Sequence, residues 1–104
     1  MKLKPKVIFV NGCFDLLHPG HIKMFQTARS LGDKLIVAID SDRKIKEMKG
    51  STRPINPVFN RKIILESIRY IDEVIVFDSK EELQDIVKRI KPDIMMVGSD
   101  WKGK

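Results

Sequence analysis

The chain has little of what builds disulfide-linked, metal-cluster or membrane proteins. Its 104 residues include a single cysteine, Cys13, which excludes an internal disulfide framework and a multi-cysteine metal site. The longest apolar runs, at 35–39 and 74–77, have the length of strands and are too short to cross a bilayer. The basic N-terminus lacks the apolar stretch of a signal peptide. We therefore expect a cytoplasmic protein without a membrane partner.

Two common nucleotide-binding signatures are also missing. The chain contains neither Gly-x-Gly-x-x-Gly nor Gly-Lys-Ser/Thr, which argues against dinucleotide-dependent oxidoreductases and P-loop kinases. A charged fraction of 33% and a hydrophobic fraction of 42% exclude disordered and fibrous classes. The length fits one compact domain over residues 1–104.

The formal net charge is +6, and the basic surplus is concentrated in one segment. Between residues 43 and 62 one acid, Glu47, faces seven basic side chains: Arg43, Lys44, Lys46, Lys49, Arg53, Arg61 and Lys62. A surplus this compact suits a triphosphate better than a nucleic-acid duplex, which requires positive charge spread over a face. A solvated charged loop is the alternative interpretation. We expect no nucleic-acid partner.

Apolar periodicity alternates between strand and helix along the chain. Short apolar runs predict strands at 6–10, 34–40, 73–77 and 94–97. Helical spacing predicts helices from Pro19 to a stop at Gly32, over 42–48 and over 58–69, and a capping box at Ser79 predicts one that ends at Pro92. In the third helix we expect the inner side to include Ile64. The alternation predicts an α/β fold, a Rossmann-like parallel sheet with helices on both faces and right-handed crossovers.

The segment Asn11–His21 leaves the first strand and opens a helix at Pro19. A helix N-terminus binds phosphate through its unpaired N–H groups and partial positive charge. His18 and His21 are three residues apart and lie on one side of the first turn, and Gly20 between them lets an anion approach the backbone. Two imidazoles at one place can donate hydrogen bonds to the oxygens of a pentavalent α-phosphate.

Other interpretations of these residues stay open. A zinc site formed by His18, His21 and Asp15 is the weaker alternative, since the His-Glu-x-x-His spacing is absent. Cys13 could act as a nucleophile, although a small thiol packed beneath the turn is the commoner arrangement.

The motif Gly12-x-Phe14-Asp15-x-x-His18-x-Gly20-His21 resembles the defining motif of the cytidylyltransferase-like (HxGH) nucleotidyltransferases, and the resemblance extends over the whole chain. Segments 31–33, 41–42 and 49–54 resemble the adenylyltransferase domain of ADP-heptose synthases. Segments 61–74 and 98–104 resemble glycerol-3-phosphate cytidylyltransferase. The resemblance implies an enzyme that transfers CMP or AMP from CTP or ATP to a phosphorylated polyol or sugar, of the glycerol 3-phosphate or heptose 1-phosphate type, and releases pyrophosphate.

The resemblance also implies roles for individual residues. His18, His21 and Lys49 would be catalytic. Nucleotide binding would fall to Gly12, Cys13, Phe14, Asp15, Gly20, Lys44, Lys46, Gly98, Asp100 and Trp101. Three arginines, Arg53, Arg61 and Arg69, would hold the acceptor phosphate or lie at a dimer interface. Mg²⁺ would be the cofactor and a homodimer the assembly.

One departure from the family pattern concerns the C-terminal end. Family members carry an Arg-Thr-x-Gly-Ile-Ser-Thr-Thr segment after the fourth strand, and this sequence stops before it, so we expect a C-terminally short version of the fold. The choice between CTP and ATP stays open. An FAD-synthetase-like or pantetheine-phosphate adenylyltransferase-like enzyme, and a nucleotide-binding module without turnover, remain as alternatives.

Overall fold

The computed structural model describes residues 4–97, which form a four-stranded parallel sheet flanked by four helices. The elements in chain order are β1 (Val7–Gly12), α1 (Pro19–Ser30), β2 (Lys34–Asp40), α2 (Asp42–Lys49), α3 (Val58–Glu66), β3 (Glu73–Phe77), α4 (Lys80–Ile90) and β4 (Ile94–Val97). Every strand pairing is parallel, as strands joined by helical crossovers require. The expected Rossmann-like class is confirmed.

Strand β1 lies where the strand order reverses. The sheet order is β3-β2-β1-β4, so the chain moves outward from β1 to β3 and then crosses back to the other side of β1. Asn11 pairs with Ala38 of β2 on one side and with Val97 of β4 on the other. In open α/β sheets ligands bind at the carboxyl edge of such a switch point. The segment that follows β1 is therefore at the expected place for a ligand.

The core has two layers, one on each face of the sheet. Alternate strand residues such as Ile8 and Val37 pack with Phe25 of α1 and Leu65 of α3 on one face. On the other face Phe9, Ile36, Ala38 and Phe77 pack with Ile86 of α4. Because both faces of a parallel sheet are covered, its strands are continuous apolar runs, as the sequence showed.

The third helix is shorter than its sequence pattern predicts. Helix α3 ends at Glu66 rather than at residue 69, and Ser67 caps it, donating its hydroxyl to the carbonyl of Ile63 at 2.9 Å. Tight turns follow, because the chain must bring Ile71 into the core and Asp72 alongside β2. Ile64 was expected on the inner side and is instead 43% exposed, since Arg61 and Leu65 form the buried stripe.

The position of Gly32 in the sequence suggested a glycine that stops α1 through its backbone conformation, but the structure gives this glycine a different role. The C-cap residue Leu31 is right-handed, and Gly32 has no positive φ. A Cβ at Gly32 would lie 2.8 Å from the carbonyl oxygen of Lys6 and 2.9 Å from Cδ1 of Ile8. That carbonyl is held in place because it accepts hydrogen bonds from the amides of Asp33 and Lys34. The glycine is needed for close approach of two backbone segments.

Gly32→Ala should therefore destabilise the fold by about 1–3 kcal/mol, since the crowding falls on backbone rather than on a flexible side chain. Urea unfolding followed by circular dichroism measures this change. Gln84→Ala, on the exposed side of α4, is the matched control and should stay within about 0.5 kcal/mol of wild type. Equal stability of Gly32→Ala and wild type would contradict the close-approach explanation.

Candidate active site

Two histidines cap the first helix. His18 is the N-cap residue of α1, and its Nδ1 accepts a hydrogen bond from the amide of Gly20 at 3.0 Å. In return, Nδ1 of His21 accepts from the amide of His18 at 3.1 Å. This is a capping box in which imidazoles replace the usual hydroxyl and carboxylate. Because each Nδ1 accepts a hydrogen bond, Nε2 is the atom that carries the proton in the neutral form of each ring.

The two rings are held close together and supported from below. Their centroids are 4.0 Å apart, and the ring of Phe14 contacts His21 edge-on at 5.5 Å with an interplanar angle of 82°. Phe14 is 5% exposed and also packs against Phe25 of the core. It adopts a φ of 49°, which costs a non-glycine residue about 1 kcal/mol or more and persists only where packing enforces it. Phe14 thus orients His21 from within the core.

Gly20 is required by the capping imidazole. A Cβ there would lie 2.7 Å from Cε1 of His18, so only glycine lets the ring lie over the helix end. The sequence pattern suggested that this glycine opens the backbone amides to an anion. The structure corrects that view, because the amides of His18 and Gly20 are already bonded to imidazole nitrogens.

Two of the cavities that flank the segment following β1 lie on different sides of it. The first, which we call the imidazole cavity, has a volume of about 500 Å³ and lies between α1 and β4, lined by His18, Gly20, His21, Lys23, Met24, Thr27 and Met96. The second, which we call the strand-end cavity, has a volume of about 330 Å³ and lies over the ends of β1, β2 and β3, lined in part by Asn11, Gly12, Cys13, Asp40, Lys44 and Lys80. Both volumes are in the range of small-molecule sites.

Cys13 and Lys44 converge on Asp40 in the strand-end cavity. The thiol of Cys13 donates to Oδ2 of Asp40 at 3.3 Å, and Nζ of Lys44 lies 3.4 Å from Oδ1. The same ammonium lies 5.7 Å from the centroid of the Phe77 ring. Reactive cysteines need an electropositive setting, and a carboxylate neighbour is the opposite. The packed thiol is therefore favoured over the nucleophile.

Asp15 anchors the loop that precedes α3. Its carboxylate, buried at 6% exposure, accepts from the amides of Ile55 and Asn56, both at 2.8 Å, and from Nε of Arg53 at 3.1 Å. Burial by itself would raise the pKa of Asp15. The two backbone hydrogen bonds and the Arg53 charge outweigh burial, so the pKa lies below its ordinary value. With these donors in place, the carboxylate does not suit a metal or a nucleotide, and Arg53 is paired within the protein.

Arg61 is buried at 1% exposure. Its guanidinium donates to the carbonyls of Asn56, Cys13 and Asp40 at 2.9, 3.0 and 2.8 Å, and to Oδ1 of Asp42 at 2.7 Å. A group with these partners and no exposed surface reaches neither an acceptor phosphate nor a second subunit. The expected role of Arg61 in acceptor binding or dimerisation is replaced by a structural one.

The basic segment at 43–62 is largely neutralised within the protein. Five of its seven cations form salt bridges: Arg43 with Asp78 and Glu47, Lys44 with Asp40, Arg53 with Asp15, Arg61 with Asp42, and Lys62 with Glu66. The surplus in sequence is therefore not a free cationic surface.

The remaining expected site residues lie apart from the two cavities or outside the described residues. Lys46 and Lys49 are exposed on α2, and Arg69 is exposed with its guanidinium 6.0 Å from the Tyr70 ring; none of the three lines either cavity. Gly98, Asp100 and Trp101 lie outside residues 4–97.

Comparison with known proteins decides the family. The family model described as Cytidylyltransferase-like matches residues 9–103. The chain belongs to the cytidylyltransferase-like family. It is thus a nucleotidyltransferase domain. Within residues 4–97 no helix of this domain is long and apolar enough to span a membrane.

Similar proteins extend the comparison. The domain is 46% identical to the bifunctional protein HldE of Nitratiruptor sp. over 99 residues, and 46% identical to HldE of Campylobacter concisus over 103 residues. These alignments cover 95% and 99% of this chain but 21% and 22% of the relatives, so the chain spans about a fifth of their length. A lipopolysaccharide core biosynthesis protein from Thermoplasma volcanium has the same fold, with a TM-score of 0.81 and 28% identity, covering 97% of this chain and 80% of that one.

Sequence reasoning on this cytidylyltransferase-like domain assigned no role to two residues that line the strand-end cavity. Asp40 ends β2, and Lys80 begins α4 just after β3. The rule that ligands bind at the carboxyl ends of parallel strands points to the segment from Asp40 onward without giving Asp40 a role, and it could also have identified Lys80.

Asp15→Asn should lower the stability of the domain by about 1–3 kcal/mol at pH 7, because buried donors lose their charged acceptor. The folded-state pKa of Asp15 is depressed, so its contribution is present above the unfolded value of about 4 and is lost as the pH falls through the lower folded value. The difference from wild type should therefore shrink at low pH. Urea unfolding at several pH values measures it, with exposed Asp85→Asn as the control. A difference that does not vary with pH would contradict this assignment.

Proposed function

We propose that this domain transfers AMP from ATP to the phosphate of heptose 1-phosphate and releases pyrophosphate. The observation that carries the proposal is the imidazole capping box, which presents two Nε2–H donors from rings 4.0 Å apart beside a cavity of about 500 Å³. Preorganised donors at the place where charge develops are the main means by which nucleotidyl transfer is accelerated.

The chemistry requires no protein nucleophile. An oxygen of the acceptor phosphate attacks the α-phosphorus, a new P–O bond forms, and the bond to the oxygen bridging the α- and β-phosphorus breaks. The electron pair leaves with pyrophosphate. Because the acceptor phosphate is already ionised at pH 7, no general base is needed. The two Nε2–H groups would bind the non-bridging oxygens, whose negative charge increases in the transition state.

Similarity supports ATP and heptose 1-phosphate over CTP and glycerol 3-phosphate. The relatives named HldE align with nearly the whole chain at 46% identity. The segments at 31–33, 41–42 and 49–54 resemble the adenylyltransferase domain of ADP-heptose synthases. The structural neighbour is named for lipopolysaccharide core biosynthesis, which agrees with an activated sugar as the product. We place the reaction in the cytoplasm, where nucleoside triphosphates are made.

Magnesium would enter as part of the MgATP substrate. Within residues 4–97 no group of three or more histidine, cysteine, aspartate or glutamate side chains could hold a metal ion. The carboxylate of Asp15 is already occupied by three donors. Mg²⁺ commonly binds through substrate phosphates and water rather than an all-protein cage, which fits these residues.

A homodimer is the assembly we propose, with its contact on the exposed side of α3. Phe59 and Ile63 are 69% and 48% exposed and lie one turn apart, and Ile55 in the preceding loop is 57% exposed. Contiguous exposed apolar residues mark interaction surfaces. Arg69 and Tyr70 follow the same helix.

The transfer is tested with variants that keep the helix cap and lose the imidazole donors. Asparagine is a good N-cap residue and glutamine a good third residue of a capping box, so His18→Asn and His21→Gln should preserve the start of α1. Each should lower kcat for pyrophosphate release from ATP and heptose 1-phosphate by about 10²–10³-fold, the usual loss for one transition-state donor. Thermal unfolding checks that the fold is intact, and Lys88→Ala on α4 is the control.

The choice of substrates decides among the alternatives. Faster turnover of CTP with glycerol 3-phosphate would replace the adenylyl proposal with the cytidylyl one. Saturable ATP binding without pyrophosphate release from any acceptor would indicate a binding module. Activity of both histidine variants within fivefold of wild type would overturn the role of the imidazoles.

The dimer is tested by size-exclusion chromatography with light scattering. Phe59→Lys should weaken self-association by about thirtyfold, because loss of a central aromatic residue typically costs 2 kcal/mol or more. Leu31→Lys, at an exposed leucine beyond the end of α1, should leave it unchanged. A wild-type monomer, or equal effects of the two substitutions, would contradict the proposed interface.

A further inference from the structure

A group of basic side chains lies at the amino edge of the sheet, the edge opposite the imidazoles. Its members belong to the segment that precedes β1 and to the end of α4, and all of them are exposed. The five residues, which we call the amino-edge patch, are Lys4, Lys6, Lys88, Arg89 and Lys91. The chemistry at the imidazoles uses none of them.

Backbone hydrogen bonds bring the two segments of the amino-edge patch together. The amide of Asp93 donates to the carbonyl of Val7 at 2.8 Å, and the amide of Val7 donates to Oδ2 of Asp93 at 2.8 Å. Strand β4 lies next to β1, so the chain that leaves α4 for β4 runs beside the chain that enters β1. The cations of both segments therefore lie on one part of the surface.

The charge of the amino-edge patch is not neutralised by the part of the chain that the structure describes. None of its five cations forms a salt bridge with another described residue. Two acids lie beside them, Asp33 and Asp93, whose carboxylates accept from the amides of Lys6 and Val7. Five cations against these two acids leave a surplus of three, and a further acid, Asp85, lies nearer the middle of α4.

The other half of the amino edge is different, because its cations are paired. At β2 and β3, Nε of Arg29 lies 3.1 Å from Oδ2 of Asp72, and Nζ of Lys34 lies 3.5 Å from Oε1 of Glu73. Cations in the last turn of a helix also stabilise its negative end. That effect accounts for the cations of α4 but requires none before β1. The unpaired surplus at β1 and β4 is therefore a feature of the assembled surface.

We propose that the amino-edge patch binds the anionic headgroups of a lipid surface as a peripheral contact. Basic side chains held near an anionic membrane each add to binding, and clusters of about four to eight are typical of lipid recognition. A peripheral contact needs neither a spanning helix nor a signal peptide, the two features whose absence led us to expect no membrane partner. The contact does not depend on the proposed transfer reaction.

The composition of the amino-edge patch favours a lipid surface over a protein or a nucleic acid. Four of its five cations are lysines, and lysine is depleted in protein–protein interfaces, where aromatic residues are enriched. Neither 4–6 nor 88–93 contains an aromatic residue, so the patch lacks the stacking platforms that bind single-stranded nucleic acids. A lipid surface requires only positive charge on side chains that extend to it.

A contact at this edge leaves the imidazoles accessible. The patch lies at the start of β1, whereas His18 and His21 follow its end. The strand has six residues and rises about 3.3 Å per residue, so it alone separates the two regions by about 17 Å. Substrates would therefore reach the imidazoles from the side that faces away from the lipid.

Co-sedimentation with lipid vesicles tests the contact. Vesicles of phosphatidylcholine mixed with anionic phosphatidylglycerol are compared with vesicles of phosphatidylcholine alone, at low salt and at about 0.15 M salt. The patch variant combines Lys88→Gln with Lys91→Gln. The charge-matched control combines Lys46→Gln with Lys80→Gln, which removes two exposed cations that lie outside the patch. Thermal unfolding establishes that each variant keeps its fold.

The wild type should bind the anionic vesicles and not the neutral ones, and salt should weaken this binding because the contact is electrostatic. The patch variant should bind about twentyfold more weakly, since each basic residue near such a surface contributes about fivefold. The control variant has the same net charge and should lose about twofold or less, because its cations lie away from the lipid. Pyrophosphate release by the patch variant in solution should equal that of wild type.

Equal losses in the two double variants would mean that net charge alone drives binding, and this would overturn the proposal. It would also be overturned by a wild type that does not bind anionic vesicles at low salt, or that binds both kinds of vesicle equally. Tighter binding of single-stranded RNA than of anionic vesicles, lost in the patch variant, would assign this edge to a nucleic acid instead. None of these outcomes bears on the transfer reaction, which pyrophosphate release measures separately.

Discussion

The guanidinium of Arg61 holds together the parts of the chain on which the site is built. It donates to the carbonyl oxygens of Cys13 and Asp40, at the ends of two adjacent parallel strands, and to the side chain of Asp42 at the start of α2. Cys13 lies just beyond the last residue of β1 that pairs with β2, and Asp40 is the last residue of β2 that pairs with β3. Burying a charged group costs several kcal/mol of folding free energy unless the group is paired and hydrogen-bonded. The partners of Arg61 satisfy this requirement, and they lie at the carboxyl edge of the sheet. Loss of this side chain would remove the hydrogen bonds that join the ends of β1 and β2 to the start of α2.

A second set of hydrogen bonds holds the segment that follows β1. Asp15 accepts hydrogen bonds from the loop before α3, and the side chain of Asn56 in that loop donates to the backbone carbonyl of Asp15 at 2.8 Å. With Arg61 bonded to the carbonyl of Asn56, the loop and the segment after β1 form one network. A site whose groups are held by such supporting contacts keeps its geometry through the reaction. The imidazoles of His18 and His21 are thereby presented by a fixed framework, with a cavity on each face of the sheet.

Charge is distributed by the fold in a way that composition does not reveal. The basic surplus of the segment at 43–62 is neutralised by aspartates and glutamates, of which Asp15 and Asp78 are distant from it in sequence. The strand-end cavity is lined by a few charged side chains of both signs, which come from β2, α2 and α4. Most of the positive charge of this segment is therefore paired at loops and helix ends.

The sequence by itself determined the order of strands and helices along the chain, the parallel sheet and the imidazole motif. These features depend on apolar periodicity, on helix caps and on the three-residue spacing of His18 and His21, all of which are properties of short segments. The bounds of β2, β3 and β4 follow from it directly. It placed Arg61 at a surface, extended α3 by one turn and explained Gly20 and Gly32 by local backbone needs. Only the tertiary structure decided these points, together with the hydrogen bonds of Asp15 and the position of Asp40 and Lys80 beside one cavity. Burial and ion pairing depend on which distant segments meet, and the partners of Arg61 and Asp15 lie 5 to 48 residues away along the chain.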